Sequence, residues 1–283
     1  MPGKVLLVVE LNRSDINICI MRVGGTNCDR ETKRAFNDLG VKADIVHINR
    51  IVRDKNLNEY DGLVLPGGFS YGDYVRAGAI WADRILDELK LHLEEFVENG
   101  KPILGICNGF QVLIEMGLLP GFKGISKKPE AALATNTPSA KYECRWVYLK
   151  HENSGRCVFT RKIPKGRRLF MPVAHAEGRL IFAREKEDEY LRKLYDNDQL
   201  VFRYCDENGD YANGRYPINP NGSFHDIAGI CNPDGNVFGL MPHPERAYYS
   251  WQLPDWTRRK RVSRYWDGRL IFESMVEYLM KKF

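Results

Sequence analysis

The stretch Lys101-Pro102-Ile103-Leu104-Gly105-Ile106-Cys107-Asn108-Gly109-Phe110-Gln111 decides how the rest of the chain is read. A short apolar strand runs into a cysteine, and Gly109 opens the helix-like segment Phe110-Gln111-Val112-Leu113-Ile114-Glu115. This is a cysteine version of the strand–turn–helix elbow that lifts a nucleophile above the edge of an α/β sheet. Gly105 and Gly109 suit the tight turn and the close approach of neighbouring segments. A cysteine at a helix N-terminus faces unpaired N–H groups and the positive end of the helix dipole, which favour the attacking thiolate form.

Outward from the elbow, apolar runs at 16–23, 43–48, 62–65 and 102–106 alternate with helix-like segments at about 30–39, 79–98 and 110–116. Near-continuous apolar strands between amphipathic helices predict an α/β fold, a mostly parallel open sheet with helices on both faces. Sites in such sheets lie beyond the carboxyl ends of the strands. The second half reads as shorter strands at 142–149, 169–173, 200–204, 227–231 and 236–240, a smaller antiparallel region, closed by a helix at 269–282. Residues 123–141, rich in Lys, Ala, Thr and Pro, read as a mobile surface loop.

A nucleophile needs a proton acceptor, and Met241-Pro242-His243-Pro244-Glu245-Arg246 supplies one at the end of the apolar run Val237-Phe238-Gly239-Leu240. In extended backbone His243 and Glu245 point to one face, so the carboxylate can orient one imidazole nitrogen while the other faces Cys107. Pro242 and Pro244 remove two N–H donors, which predicts the exposed rim of a sheet. A third segment, Val64-Leu65-Pro66-Gly67-Gly68-Phe69-Ser70-Tyr71-Gly72-Asp73, is glycine-rich enough to turn backbone N–H groups toward a ligand. The N–H groups near Gly68 and Phe69, with that of Asn108, are the candidate donors for a tetrahedral oxyanion.

Together these segments, with Gly24-Gly25-Thr26-Asn27-Cys28-Asp29, Arg76-Ala77-Gly78 and Ala174-His175-Ala176-Glu177-Gly178-Arg179, resemble the class I (triad) glutamine amidotransferases. The resemblance covers the chain from about Ile16 onward as a single domain. It implies Cys107 as nucleophile, His243 as base and Glu245 as its orienter, acting on glutamine. It also implies a partner: a large synthetase subunit that aminates formylglycinamide ribonucleotide in purine biosynthesis, with a small bridging subunit. No G-x-x-x-x-G-K-[ST] loop is present, so ATP and Mg are expected on that partner and no cofactor on this chain. Gln111 would touch the substrate's amino-acid end or simply pack. His175 suits a pocket wall or a partner surface. The chain departs from shorter family members in an extension at 1–15, a longer middle region at 122–168 and a basic aromatic segment at 251–266.

Composition narrows the alternatives. The net charge of +5 is modest and mostly interspersed with acids, which argues against a nucleic-acid binder. The exception, Arg258-Arg259-Lys260-Arg261 among Trp251, Trp256, Tyr265 and Trp266, reads either as a solvated charge run or as a partner-docking or substrate-facing surface. No apolar run has the length of a membrane span, and Met1-Pro2-Gly3-Lys4 leads into Val5-Leu6-Leu7-Val8-Val9 without a signal-peptide pattern, so a cytoplasmic protein is expected. Seven cysteines without C-x-x-C or metal-ligand spacing predict neither a disulfide framework nor a metal site. Cys28 lacks the elbow flanks and reads as structural, with Asn27 capping the following helix. Two rivals share the sheet: a catalytically silent interaction module, and a peptidase-like relative carrying histidine directly after the cysteine. Asn108 occupies that position here, which favours the amidotransferase.

Overall fold

The structure is a computed structural model that describes residues 12–125, 128–259 and 263–282. Its first half alternates strictly: β1 (Asn17–Arg22), α1 (Asp29–Asp38), β2 (Lys42–His47), α2 (Ile48–Asp54), β3 (Gly62–Leu65), α3 (Ala79–Glu98), β4 (Ile103–Ile106) and α4 (Asn108–Glu115). The runs that are apolar at every position, β3 and β4, are buried at every position. β2, at the edge of the sheet, instead buries only Ala43 and Val46 fully.

The second half contributes β5 (Ala132–Ala134), β6 (Glu143–His151), β7 (Arg168–His175), β8 (Arg179–Ile181), α5 (Glu187–Asp196), β9 (Leu200–Cys205), β10 (Ile227–Cys231), β11 (Val237–Leu240) and α6 (Arg269–Lys282). One nine-stranded sheet runs β2-β1-β3-β4-β11-β10-β9-β6-β7. Pairing is parallel from β2 to β11 and antiparallel from β11 to β7. The antiparallel strands therefore extend the parallel sheet, and only β5 and β8 stand apart as a ribbon. α1 meets α6 through the edge-on pair Phe36–Phe272, while α3 packs on α4.

One expectation changes. Within 123–141, residues 128–141 do not form a mobile loop: they carry β5, whose Leu133 is buried, and the fully buried Asn136. Composition hid β5 because a three-residue strand has too few positions to show a period. Within 122–168, the strand read at 142–149 is present as β6, which pairs on both sides and is built into the sheet. The sequence reading passed over α5, which buries only Tyr190 and Leu194 on an otherwise charged helix, and the seven-residue α2. The extension at 1–15 and the basic run fall partly outside the described residues. Of the latter, Arg258 ends the 3-10 turn Trp256–Arg258, and Arg259, which follows it, pairs with Asp255. Among the described residues no helix is long and apolar enough to cross a membrane.

Candidate active site

Four loops leave the carboxyl ends of adjacent parallel strands and meet above the sheet: 23–28 after β1, 66–73 after β3, Cys107 after β4 and 241–247 after β11. The first two are knit together by backbone. Asn27 and Cys28 donate to the Gly67 carbonyl at 3.3 and 3.2 Å, and Phe69 N–H donates to Gly25 at 3.0 Å.

Cys107 is the elbow the sequence predicts. It caps α4 with φ 51° and ψ −104°, a conformation that non-glycine residues adopt at a cost of order 1–3 kcal/mol. Its N–H is held by the Leu240 carbonyl at 2.9 Å, and its own carbonyl accepts from Gln111 N–H at 3.1 Å. The flanking glycines are required by space. A Cβ on Gly105 would lie 2.5 Å from Leu113 Cδ1, and one on Gly109 would lie 1.8 Å from the Leu65 carbonyl oxygen. Gly109→Ala should therefore force β3 and α4 apart, costing about 3 kcal/mol and lowering Tm by roughly 6–12 °C. A calorimetric scan showing an unchanged Tm would contradict this.

His243 and Glu245 are joined as expected, Nδ1 to Oε1 at 2.6 Å, but by a different local structure. Pro244 starts a single 3-10 turn, Pro244–Ala247, so the pair meets across a turn and not along extended backbone. Nor is the segment an exposed rim: His243 is 2% and Glu245 1% exposed, and His243 N–H is bound by Pro172 of β7 at 2.8 Å. Burial alone would depress the imidazole pKa, yet the Glu245 carboxylate and Cys107 outweigh it and hold the ring well above its ordinary value. The Cys107 thiol turns toward the Ala174 carbonyl at 3.6 Å, and Nε2 of His243 has no hydrogen-bond partner. Catalytic hydrogen bonds of this kind commonly close only when substrate arrives.

Of the three oxyanion donors read from the sequence, two remain available. The Phe69 N–H is consumed by Gly25, whereas those of Gly68 and Asn108 donate to nothing among the described residues. Asn108 stands at the first position of α4, where helix geometry leaves an N–H unpaired. Its side chain completes a buried network. The amide oxygen accepts from Ser70 N–H at 3.1 Å, and the amide nitrogen donates to Gln111 Oε1 at 2.9 Å. Gln111 in turn donates to the Glu177 carbonyl at 2.5 Å, so both ends of its amide bind the elbow to the loop after β7.

His175 is buried, only 3% exposed. Asn136 spends its amide nitrogen on the Lys141 and His175 carbonyls at 2.9 and 2.8 Å, which leaves its oxygen facing His175 Nδ1 at 3.2 Å. Nδ1 is therefore the protonated nitrogen, and Nε2 carries a buried lone pair without a partner. Burial, with the nearby His243 charge, pushes the ring down to about 3 and keeps it neutral.

Three site features escaped the sequence reading. Asp73, left-handed at φ 54°, lies 3.4 Å from Asn108 Nδ2 and is pushed up to about 6 by burial and by the Glu177 charge. Cys28, and not Asn27, caps α1, and its sulfur reaches the His243–Glu245 pair, 3.9 Å from His243 Nδ1. Arg246 donates from Nη2 to that sulfur at 2.9 Å and places Nε 3.9 Å from Glu245. The ligand atoms of Cys28, His243 and Glu245 lie within 4.8 Å of one another, a set of the kind zinc uses. Arg246 already supplies a cation there.

The comparisons agree with this geometry. The profile of the CobB/CobQ-like glutamine amidotransferase domain matches residues 15–279. The chain is 51% identical over 281 residues to the phosphoribosylformylglycinamidine synthase subunit PurQ of Archaeoglobus fulgidus, covering 96% of this chain and all of that one. It is 45% identical over 223 residues to PurQ of Aquifex aeolicus, covering 79% and 87% of the two chains. Among solved structures, a chain of PurLQS from Thermotoga maritima superposes with a TM-score of 0.69 at 35% identity, covering 94% of this chain and 99% of that one. The chain belongs to the CobB/CobQ-like glutamine amidotransferase family and, within it, to the PurQ subunits of phosphoribosylformylglycinamidine synthase.

Proposed function

We propose that the chain hydrolyses glutamine at Cys107 and passes the ammonia to an ATP-dependent synthetase subunit, which converts formylglycinamide ribonucleotide to formylglycinamidine ribonucleotide in purine biosynthesis. The observation that carries this is the buried His243–Glu245 pair set beside a left-handed cysteine elbow. His243, oriented by Glu245, takes the thiol proton, and the sulfur attacks the side-chain amide carbon of glutamine. Gly68 and Asn108 N–H groups hold the oxyanion. The carbon–nitrogen bond then breaks as the nitrogen takes the proton back from His243, releasing ammonia. Water, deprotonated by the same imidazole, cleaves the thioester to give glutamate and the free thiol. His175 Nε2 offers a lone pair to a substrate N–H, and Gln111 fixes the pocket wall.

Ammonia is largely ammonium at neutral pH, so the product needs a shielded route to a partner. The names of the relatives supply that partner's chemistry: a synthase of which PurQ is one subunit, and a PurLQS assembly. ATP and Mg belong on the large subunit in this reading, a small subunit bridges the two, and the cytoplasm is where they meet. Glutamate release from glutamine, measured with and without the large and small subunits, tests the whole. Release that rises on assembly is expected, and none under either condition would overturn the proposal.

Asp73 and Glu177 present negative charge next to Asn108, which suits the α-ammonium of glutamine. Asp73→Asn should raise KM for glutamine about tenfold with little change in kcat, the loss of one charge-assisted hydrogen bond. The wild-type KM should climb as pH falls through about 6, because the proton that neutralises Asp73 removes the attraction. A variant whose KM equals the wild type's across this range would remove Asp73 from the pocket.

A further inference from the structure

The Cys28 thiol is buried against the working side of the site yet takes no part in the chemistry above. Its surroundings are defined by four contacts. Arg246 Nη2 donates to the sulfur at 2.9 Å, the thiol donates to Asn27 Oδ1 at 3.2 Å, His243 Nδ1 lies at 3.9 Å, and a Cβ on Gly67 would come within 3.3 Å. The same Gly67 Cβ would strike His243 Cε1 at 2.8 Å, so ring and sulfur share one cradle floored by a glycine. Burial raises the Cys28 pKa, and a neutral thiol can both accept from Arg246 and donate to Asn27.

We propose that Cys28 is a positioning residue: its sulfur, fixed at the start of α1 by Asn27, holds the Arg246 guanidinium beside the Glu245–His243 pair. Among the described residues Arg246 has no other anchor of comparable closeness, since its approach to Glu245 is 3.9 Å and its side chain is partly exposed. Held there, the cation offsets part of the Glu245 charge felt by His243. The groups facing the imidazole are Glu245 and Arg246 on its own turn, Cys28 before α1, Cys107 before α4, Tyr142 before β6 and His175 at the end of β7. His175 is neutral, so the carboxylate and the nucleophile, with a smaller raising contact from the Cys28 sulfur itself, act against burial and the guanidinium, and Arg246→Met isolates the last of these.

The proposal rests on the reading of His243 as the catalytic base. Without the sulfur, Arg246 is released toward solvent, the carboxylate acts on His243 undiluted, and the imidazolium persists to higher pH. In the assembled enzyme, Cys28→Ala should lower kcat severalfold with KM nearly constant. It should also move the acidic limb of the kcat profile upward by roughly half a pH unit, because the base must lose its proton to act. Cys28→Ser, which keeps one donor and one acceptor at this point, should restore both. Arg246→Met should reproduce the limb shift with the thiol intact, and it carries the test if Cys28→Ala does not fold. An unmoved limb in Arg246→Met, or equal losses in the Ala and Ser variants, would overturn the positioning role. Glutamate release by the unmutated chain that Cys107→Ala silences tests the catalytic reading separately, whatever Cys28 does.

Discussion

Replacing Cys107 with alanine is expected to abolish glutamine-dependent synthesis while leaving synthesis from added ammonium salts largely intact. Without the nucleophile there is no thioester, and removal of such a group costs on the order of 10⁴-fold or more in rate. No second sulfur can stand in. Cys28 is fully buried, caps its helix without left-handed strain, and contacts Arg246. Alanine also tolerates the space, because the elbow is set by the Leu240 and Gln111 backbone bonds and by the glycines around it, not by the thiol. The complex should therefore assemble, and supplied ammonia should bypass the defect if amination happens on another subunit. The measurement is product formation with glutamine and with ammonium chloride at mildly alkaline pH. Loss of the ammonia-dependent rate in an intact complex would sink the division of labour.

What could be read in advance follows from how local each feature is. The parallel half of the sheet was legible because β3 and β4 are covered on both faces, which leaves unbroken apolar runs in the sequence. The elbow was legible because its glycines exclude a Cβ within a few residues of Cys107. The Phe69 N–H was misassigned because its partner, Gly25, lies on another strand's loop, and a glycine-rich segment shows which donors exist without showing which are already taken. His243 and Glu245 were paired for a partly wrong reason: a two-residue spacing suits extended backbone, but Pro244 begins a turn that also brings them together.

The Cys28–Arg246 contact joins residues 218 positions apart, and nothing local marks it. Cys28 lacks the flanks of a nucleophile, which in the sequence argues against attack. It says nothing about a supporting contact, which depends on where the end of β1 falls relative to the end of β11. Asp73 is similar. Its left-handed backbone and burial come from the way the 66–73 loop folds over α4, and only then does an ordinary acid become one that titrates near 6.

His243→Ala should cost more than Glu245→Gln, by about tenfold or more in kcat, because one variant removes the proton acceptor and the other its support. The alanine variant leaves no group to take the Cys107 proton, and losses on the order of 10³-fold or beyond are expected. The glutamine variant keeps size and an amide oxygen that can still accept from Nδ1–H, so the ring stays oriented across the 2.6 Å contact. What it loses is charge. Glu245 is the main influence lifting the His243 pKa against burial, so without it the imidazolium deprotonates at lower pH. The acidic limb of the kcat profile should then move to lower pH, opposite in sign to the shift expected for Cys28→Ala. That opposition separates orientation from electrostatics, since a merely misplaced ring would lower kcat at every pH and leave the limb where it was. Equal losses in the two folded variants, with the limb unmoved in Glu245→Gln, would mean that Glu245 acts as structure and that His243 draws its basicity from Cys107 alone.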